Sequence, residues 1–105
     1  MEVATIRIGG QERNLADVEP SWVAQQIDGR RGDGQPVCVE VRIQRPGCDL
    51  RLTTPQCAPR GIGGRAPNCA EQEIIELWKR NHLLLPDYSA GNVIAFTKQV
   101  RRHLS

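Results

Sequence analysis

Four cysteines are the residues of this chain best suited to chemistry, because a thiolate can bind a metal ion or attack a substrate, and two thiols can join in a disulfide. Cys38, Cys48, Cys57 and Cys69 have nine, eight and eleven residues between successive members. None of these spacings is the Cys-x-x-Cys pattern that places two thiolates on one zinc ion. We predict no metal or other cofactor; the one combination that remains conceivable is Cys38, Cys57 and Cys69, with His82 as a further ligand.

A predicted hairpin turn at Pro46-Gly47 constrains which cysteines can meet. It places Cys38 opposite Pro55, two residues from Cys57, whereas Cys48 lies seven residues from Pro55 along its strand, or roughly 23 Å at the usual rise. Cys38 and Cys57 are therefore expected to be neighbours. A disulfide between them is one alternative, but in a reducing cytosol we favour free, partly buried cysteines.

Cys69 lies in a segment, Asn68-Cys69-Ala70-Glu71, that has the form of a helix capping box. In the first turn of a helix, unpaired N–H groups and the helix dipole stabilise a thiolate, so Cys69 is a candidate nucleophile. Such a nucleophile needs a base, and the two histidines, His82 and His103, form no recognisable arrangement with it. Thiol-dependent activity at Cys69 is a second alternative function; the sequence leaves enzymatic activity open and favours a role without catalysis.

An arginine- and glycine-rich segment, residues 60–65, precedes that helix and offers flexible N–H groups that could hold an anion. It lacks the Walker sequence, and no strand leads directly into it. Charge is also uneven: residues 1–40 hold seven acids and four bases, and residues 41–105 hold five acids and ten bases. Anion or nucleic-acid binding is therefore the first alternative function, through Arg60, Arg65, Lys98, Arg101 and Arg102, although the pI of about 8.5 is low for it.

Hydrophobic periodicity predicts the elements that position these residues. Alternating apolar residues and turn signals indicate hairpins at about 3–16 and 36–54, the first closed by Gly9-Gly10. Helical stripes indicate helices at about 20–28, 69–81 and 91–104. The fold class is therefore α+β, with a small mixed or antiparallel sheet covered by one short helix and two C-terminal helices. Residues 55–67 form a long loop rich in arginine, glycine and proline.

The order hairpin, helix, hairpin, with Leu15-Ala16-Asp17-Val18-Glu19-Pro20-Ser21 leading into the helix, resembles the ubiquitin-like β-grasp fold over residues 3–43. The resemblance implies a helix lying across a mixed sheet. The polar second strand, the two further helices and the lack of a terminal Gly-Gly depart from that family. The resemblance therefore implies an architecture and no functional residue.

The length of 105 residues predicts a single domain, 1–105, since two cores of half this size would be marginal. No apolar run reaches the ~20 residues that cross a bilayer, and no secretory signal is visible, so a cytoplasmic protein without membrane association is expected. We predict a protein-interaction or regulatory module whose docking surfaces are the polar edge strand at 11–16 and the 55–67 loop. The partner is another protein, or a second copy of the chain in a homodimer.

Overall fold

Two hairpins lie side by side and form one antiparallel sheet. The first consists of β1 (Val3–Ile8) and β2 (Gln11–Asn14), and the second of β3 (Val39–Arg45) and β4 (Cys48–Thr53). In the computed structural model, which describes residues 3–34, 36–57 and 68–104, β1 pairs with β3 and the strand order is β2-β1-β3-β4. The predicted α+β class is confirmed, and β2 and β4 are the edges of the sheet.

The register within each hairpin follows from its turn. Gly9 and Gly10 both have positive φ, 59° and 87°, as a two-residue type I′ turn requires, and Arg7 consequently faces Glu12. Around Pro46 and Gly47, Ile43 faces Leu50 and Val41 faces Leu52, as predicted. The apolar residues of both strands therefore share one face of the sheet.

Three helices complete the fold: α1 (Pro20–Gly32), α2 (Cys69–Arg80) and α3 (Ala90–Leu104). The expectation that the first helix ends near residue 28 was wrong by one turn. The Arg30 guanidinium donates to the Gly9 carbonyl oxygen, and Arg31 lies over the Tyr88 ring, so contacts with distant residues hold the last turn in place despite Gly29. α2 begins with the predicted capping box of Asn68 and Glu71.

The core lies between the sheet and the helices. α1 packs on β1 and α3, and α2 packs on β4 and α3. Trp78 of α2 and Phe96 of α3 meet edge to face at its centre, with ring centroids 5.0 Å apart. The sheet contributes the fully buried residues Ile6, Ile8, Val39, Val41, Ile43 and Leu52. The side chains that alternate with these residues lie on the opposite side of the sheet, which we call the open face.

Among the described residues, no helix combines the length and the apolar character that a membrane span requires.

Candidate functional site

The open face carries a shallow groove of about 410 Å³ that crosses all four strands. Because side chains alternate between the faces of a strand, the strand residues that line this groove occupy alternate positions, such as Glu40 and Arg42 on β3. We call it the sheet groove, and its lining residues are Thr5, Arg7, Glu12, Cys38, Glu40, Arg42, Arg51, Thr53 and Cys57. It therefore combines three arginines, two glutamates, two threonines and a disulfide.

Two of the three arginines in the sheet groove have a carboxylate partner. Arg7 lies 4.0 Å from Glu12 on the neighbouring strand, and Arg51 lies 3.6 Å from Glu40. The side chains of the first pair are each about half exposed, and those of the second are 46% and 32% exposed. Exposed ion pairs of this kind contribute at most about 1 kcal/mol, so a competing ligand could displace them at low cost.

Arg42 is the exception. It lies directly opposite Arg51 in the β3–β4 pairing, and like charges in that position repel each other. Its guanidinium donates to the Gln44 side-chain oxygen at 3.3 Å, and no carboxylate of the described residues lies within 4.0 Å of it. The groove thus contains one exposed guanidinium group whose charge is not neutralised by any residue that the structure describes, beside a second one held by a weak pair.

The disulfide between Cys38 and Cys57 closes one end of the sheet groove. The predicted proximity of these two residues is confirmed, and the pairing is the disulfide rather than the free thiols that we favoured. The reason is the register: Thr54 N–H donates to the Val39 carbonyl oxygen at 3.1 Å, which brings the chain segments that follow β4 and precede β3 together. Bonded sulfurs are not thiolate ligands, so this form offers neither cysteine to a metal ion.

Cys69 does not join this pair. The Asn68 side chain beside it donates to the carbonyl oxygen of Gly47, in the turn of the second hairpin, whereas Cys38 and Cys57 lie beyond the opposite end of that hairpin. The two ends are separated by the length of β3, roughly 20 Å. Cys69 is exposed and free at the start of α2, Cys48 is buried, and no cluster of three or more metal-binding side chains occurs within the described segments.

The cationic residues proposed for anion or nucleic-acid binding have different surroundings. The Arg101 guanidinium donates to the carbonyl oxygens of Leu15 and Val18, so it fastens α3 to the segment before α1. Lys98 and Arg102 are exposed on α3, whereas Arg60 and Arg65 lie outside the described residues.

The two histidines also lie apart from the sheet groove. His82 follows α2 and is exposed, and His103 on α3 lies 3.1 Å from Glu73 on α2. Neither is among the residues that line the groove, and neither belongs to a cluster of three or more metal-binding side chains within the described residues.

The edge strand β2 is short and its outer side is partly occupied. All four of its residues are exposed, as predicted. Its outward-facing backbone groups belong to Glu12 and Asn14, since Arg13 pairs inward with Ile6. The Glu12 carbonyl oxygen accepts from the Arg13 side chain, and that of Asn14 accepts from Asp17 N–H. A strand added at this edge could not readily donate to the outward-facing carbonyl oxygens of β2, because both already accept hydrogen bonds.

Sequence reasoning missed Arg7, Arg42 and Arg51 as site residues. The signal was present in the alternation of β1, β3 and β4, which places an arginine at an outward position of each strand. Reading the outward positions of the strands side by side, rather than the basic residues along the chain, would have found them.

Comparison of the chain with family models, curated proteins and solved structures gives no match. The resemblance to the ubiquitin-like β-grasp fold therefore stays a prediction.

Proposed function

We propose that this protein is an interaction module that docks an acidic segment of a partner protein in the sheet groove. The observation that carries the proposal is Arg42 opposite Arg51: among the described residues, a carboxylate lies beside Arg51 and none lies beside Arg42. A carboxylate from a partner would supply the missing counter-charge and could accept hydrogen bonds from both guanidinium groups. The repulsion between the two arginines in the free protein would then be relieved on binding.

A protein fits this groove better than a nucleic acid does. Glu12 and Glu40 lie among the arginines and would repel the evenly spaced charges of a phosphate backbone, whereas a peptide can place one carboxylate between Arg42 and Arg51 and turn its neighbouring side chains away from the glutamates. The four aromatic residues are also elsewhere: Trp78, Tyr88 and Phe96 are buried in the core, and Trp22 packs against it from α1. The open face therefore has no aromatic side chain on which bases could stack.

Docking on the open face is favoured over strand addition at β2. Only Glu12 and Asn14 present outward backbone groups there, and both carbonyl oxygens are occupied. For this reason we do not extend the proposal to a homodimer built through that edge.

The test measures binding of a fluorescent oligo-glutamate peptide at low ionic strength. Arg42→Gln should weaken binding roughly tenfold, because a charge-assisted hydrogen bond contributes about 1.5 kcal/mol. Lys98→Gln is the matched control, since it removes one positive charge from an exposed position on α3. It should leave the affinity within about a factor of two, as expected for a distant charge screened by salt.

Three results would contradict the proposal. One is no binding of the peptide to the wild-type protein at low salt. Another is an equal loss of affinity in both variants, which would indicate net charge rather than a site. A third is tighter binding of a single-stranded oligonucleotide that Lys98→Gln weakens and Arg42→Gln does not, which would favour the nucleic-acid function instead.

The cytoplasm remains our proposed location, and the disulfide adds a condition to it. Disulfides persist in oxidising compartments, whereas those of reducing compartments are mostly transient and redox-responsive. A cytoplasmic protein with this pairing would therefore hold it reversibly. Alkylation of thiols at the moment of cell lysis, followed by mass measurement, would show which form the cell contains.

A further inference from the structure

The Cys38–Cys57 disulfide is a part of the sheet groove and not of the core. Both cysteines are half-buried, and both line the groove together with Arg7 and Glu40. A thiol in solution can therefore reach the disulfide from the groove side, whereas it could not reach a disulfide that is buried in the core.

The end of the hairpin does not depend on the disulfide alone. Val39 and Thr54 are joined by two hydrogen bonds: Thr54 N–H to the Val39 carbonyl oxygen, and Val39 N–H to the Thr54 hydroxyl oxygen, both at 3.1 Å. Next to them, the Tyr88 hydroxyl donates to the Val37 carbonyl oxygen at 2.9 Å. These contacts link the segments around both cysteines without the sulfur–sulfur bond, so the fold can persist when that bond is broken.

A reduced Cys57 also has hydrogen-bond partners in place. Its sulfur lies 3.6 Å from the Val39 carbonyl oxygen and 3.8 Å from the Thr54 hydroxyl oxygen. A disulfide sulfur carries no hydrogen and cannot donate to the carbonyl group, whereas a thiol can. The Thr54 hydroxyl can in turn donate to a thiolate at Cys57 as it leaves.

We propose that Cys38–Cys57 is a reversible thiol–disulfide site, reduced by a small dithiol or a dithiol protein, and that its oxidation state sets the affinity of the sheet groove for acidic segments. The second half of this proposal rests on the proposed function. The first half stands without it.

The exchange proceeds in two steps. A thiolate of the reductant attacks the Cys38 sulfur, the bond between the two cysteines breaks, and Cys57 leaves as a thiolate that takes up a proton. The second thiol of the reductant, as its thiolate, then attacks the mixed disulfide and releases Cys38, which is also protonated. The reductant departs as its own disulfide, so two electrons and two protons have passed to the protein.

Reduction changes the end wall of the groove. Two thiols must separate to van der Waals distance, and the solvent-filled groove is the side on which there is room. A cysteine side chain that moves there approaches Arg7 and Glu40, which line the same space. We expect the reduced protein to bind an acidic peptide about fivefold more weakly, an effect of the size that one partly exposed contact produces.

The experiment compares the oxidised protein with the protein incubated in excess dithiothreitol under native conditions. Alkylation in denaturant followed by mass measurement counts the thiols, which should rise from two to four. Near-ultraviolet circular dichroism reports the fold, and fluorescence anisotropy reports binding of the oligo-glutamate peptide. The double variant Cys38→Ser with Cys57→Ser should bind the peptide as weakly as the reduced protein does, and dithiothreitol should not change its affinity. Cys69→Ser should behave like the wild type.

The outcomes separate the two proposals. Four thiols, unchanged aromatic bands in the near-ultraviolet spectrum and weaker binding would support a reversible site that regulates docking. A disulfide that resists reduction in the native protein, or a chain that unfolds on reduction, would show that the bond has a structural role. Either result would contradict the proposal of a reversible thiol–disulfide site. Full reduction with unchanged affinity would overturn the regulation. If the oxidised protein binds no peptide but is reversibly reduced while folded, the proposed function fails and the thiol–disulfide site stands.

Discussion

At the scale of single residues, His82 adopts a conformation that its type disfavours. Its φ of 62° is the only positive value at a non-glycine position in the described segments. It follows α2 in a Schellman motif, in which Leu83 N–H donates to the Trp78 carbonyl oxygen at 3.2 Å and His82 N–H donates to that of Lys79 at 3.0 Å. Leu83 and Trp78 occupy the two positions that usually carry the apolar pair of this motif, and both are fully buried.

His82→Gly should therefore stabilise the protein. Relief of the left-handed conformation is worth about 1–2 kcal/mol, and the added freedom of glycine in the unfolded chain removes part of it, leaving roughly 0.5–1 kcal/mol. Urea denaturation of the variant measures this gain. His82→Ala is the control, because alanine removes the exposed ring but keeps the Cβ atom. Equal stability of the two variants would show that backbone conformation is not the cause.

The cysteines show how far residue-level prediction reached. The predicted hairpin register places Cys38 near Cys57, and the structure has them bonded. Whether Cys69 lies beside them could not be predicted, because that depends on which end of the hairpin the start of α2 approaches. The Asn68 contact with Gly47 settles this in favour of the turn end. A local pattern contains no information about such a contact between distant segments.

At the scale of elements, Glu71 joins α2 to the second hairpin. Its side chain is 1% exposed, and one carboxylate oxygen accepts from Asn68 N–H at 3.0 Å while the other accepts from Asp49 N–H at 2.8 Å. Asp49 lies on the edge strand β4, so this carboxylate both caps the helix and covers part of the sheet edge. The sequence predicted the cap and gave no sign of the contact with the strand.

Substitution of Glu71 should consequently cost more than loss of a helix cap. Glu71→Ala leaves two partly buried N–H groups without this acceptor, and we expect a loss of about 2 kcal/mol in the free energy of unfolding. Glu71→Gln keeps one side-chain oxygen and should lose about half as much. Glu76→Ala, at an exposed site on the same helix, should cost about 0.5 kcal/mol or less. Urea denaturation measures all three; a Glu71→Ala loss no larger than that of Glu76→Ala would contradict the role of this carboxylate.

Elements with strong local signals were predicted well, and those fixed by distant contacts were not. The second hairpin and the capping box have their turn and cap residues next to the periodic segment, so the local sequence was enough to predict both. The end of α1 depends on the contacts of Arg30 with Gly9 and of Arg31 with Tyr88, which lie far away in the chain. The open face is a further case: alternation identifies its residues, but only the packing of the three helices shows which side of the sheet these helices leave uncovered.

At the scale of the whole molecule, Tyr88 connects segments that are distant in sequence. It lies between α2 and α3 and is 1% exposed; its hydroxyl donates to Val37 before β3, and the Arg31 guanidinium of α1 lies 4.7 Å from its ring centroid. Burial raises the pKa of Tyr88 above its ordinary value of 10.0, although the hydrogen bond with Thr54 and the charge of Arg31 oppose the shift. The neutral phenol is thus the form that suits the folded state.

This shift makes stability depend on pH in the alkaline range. With a pKa raised on folding, the contribution of Tyr88 is fully present below about pH 10 and is lost as the pH rises from there, because the unfolded chain releases the proton first. Tyr88→Phe lacks the hydroxyl and should be less stable by about 1 kcal/mol at neutral pH. The difference between the two proteins should shrink above about pH 10, by at most 1.4 kcal/mol per pH unit. Urea denaturation across this range measures the difference.

Because Tyr88 is the single tyrosine, absorbance titration of the folded protein reports its pKa directly. A midpoint at or below 10.0, or a constant stability difference across the range, would contradict the prediction.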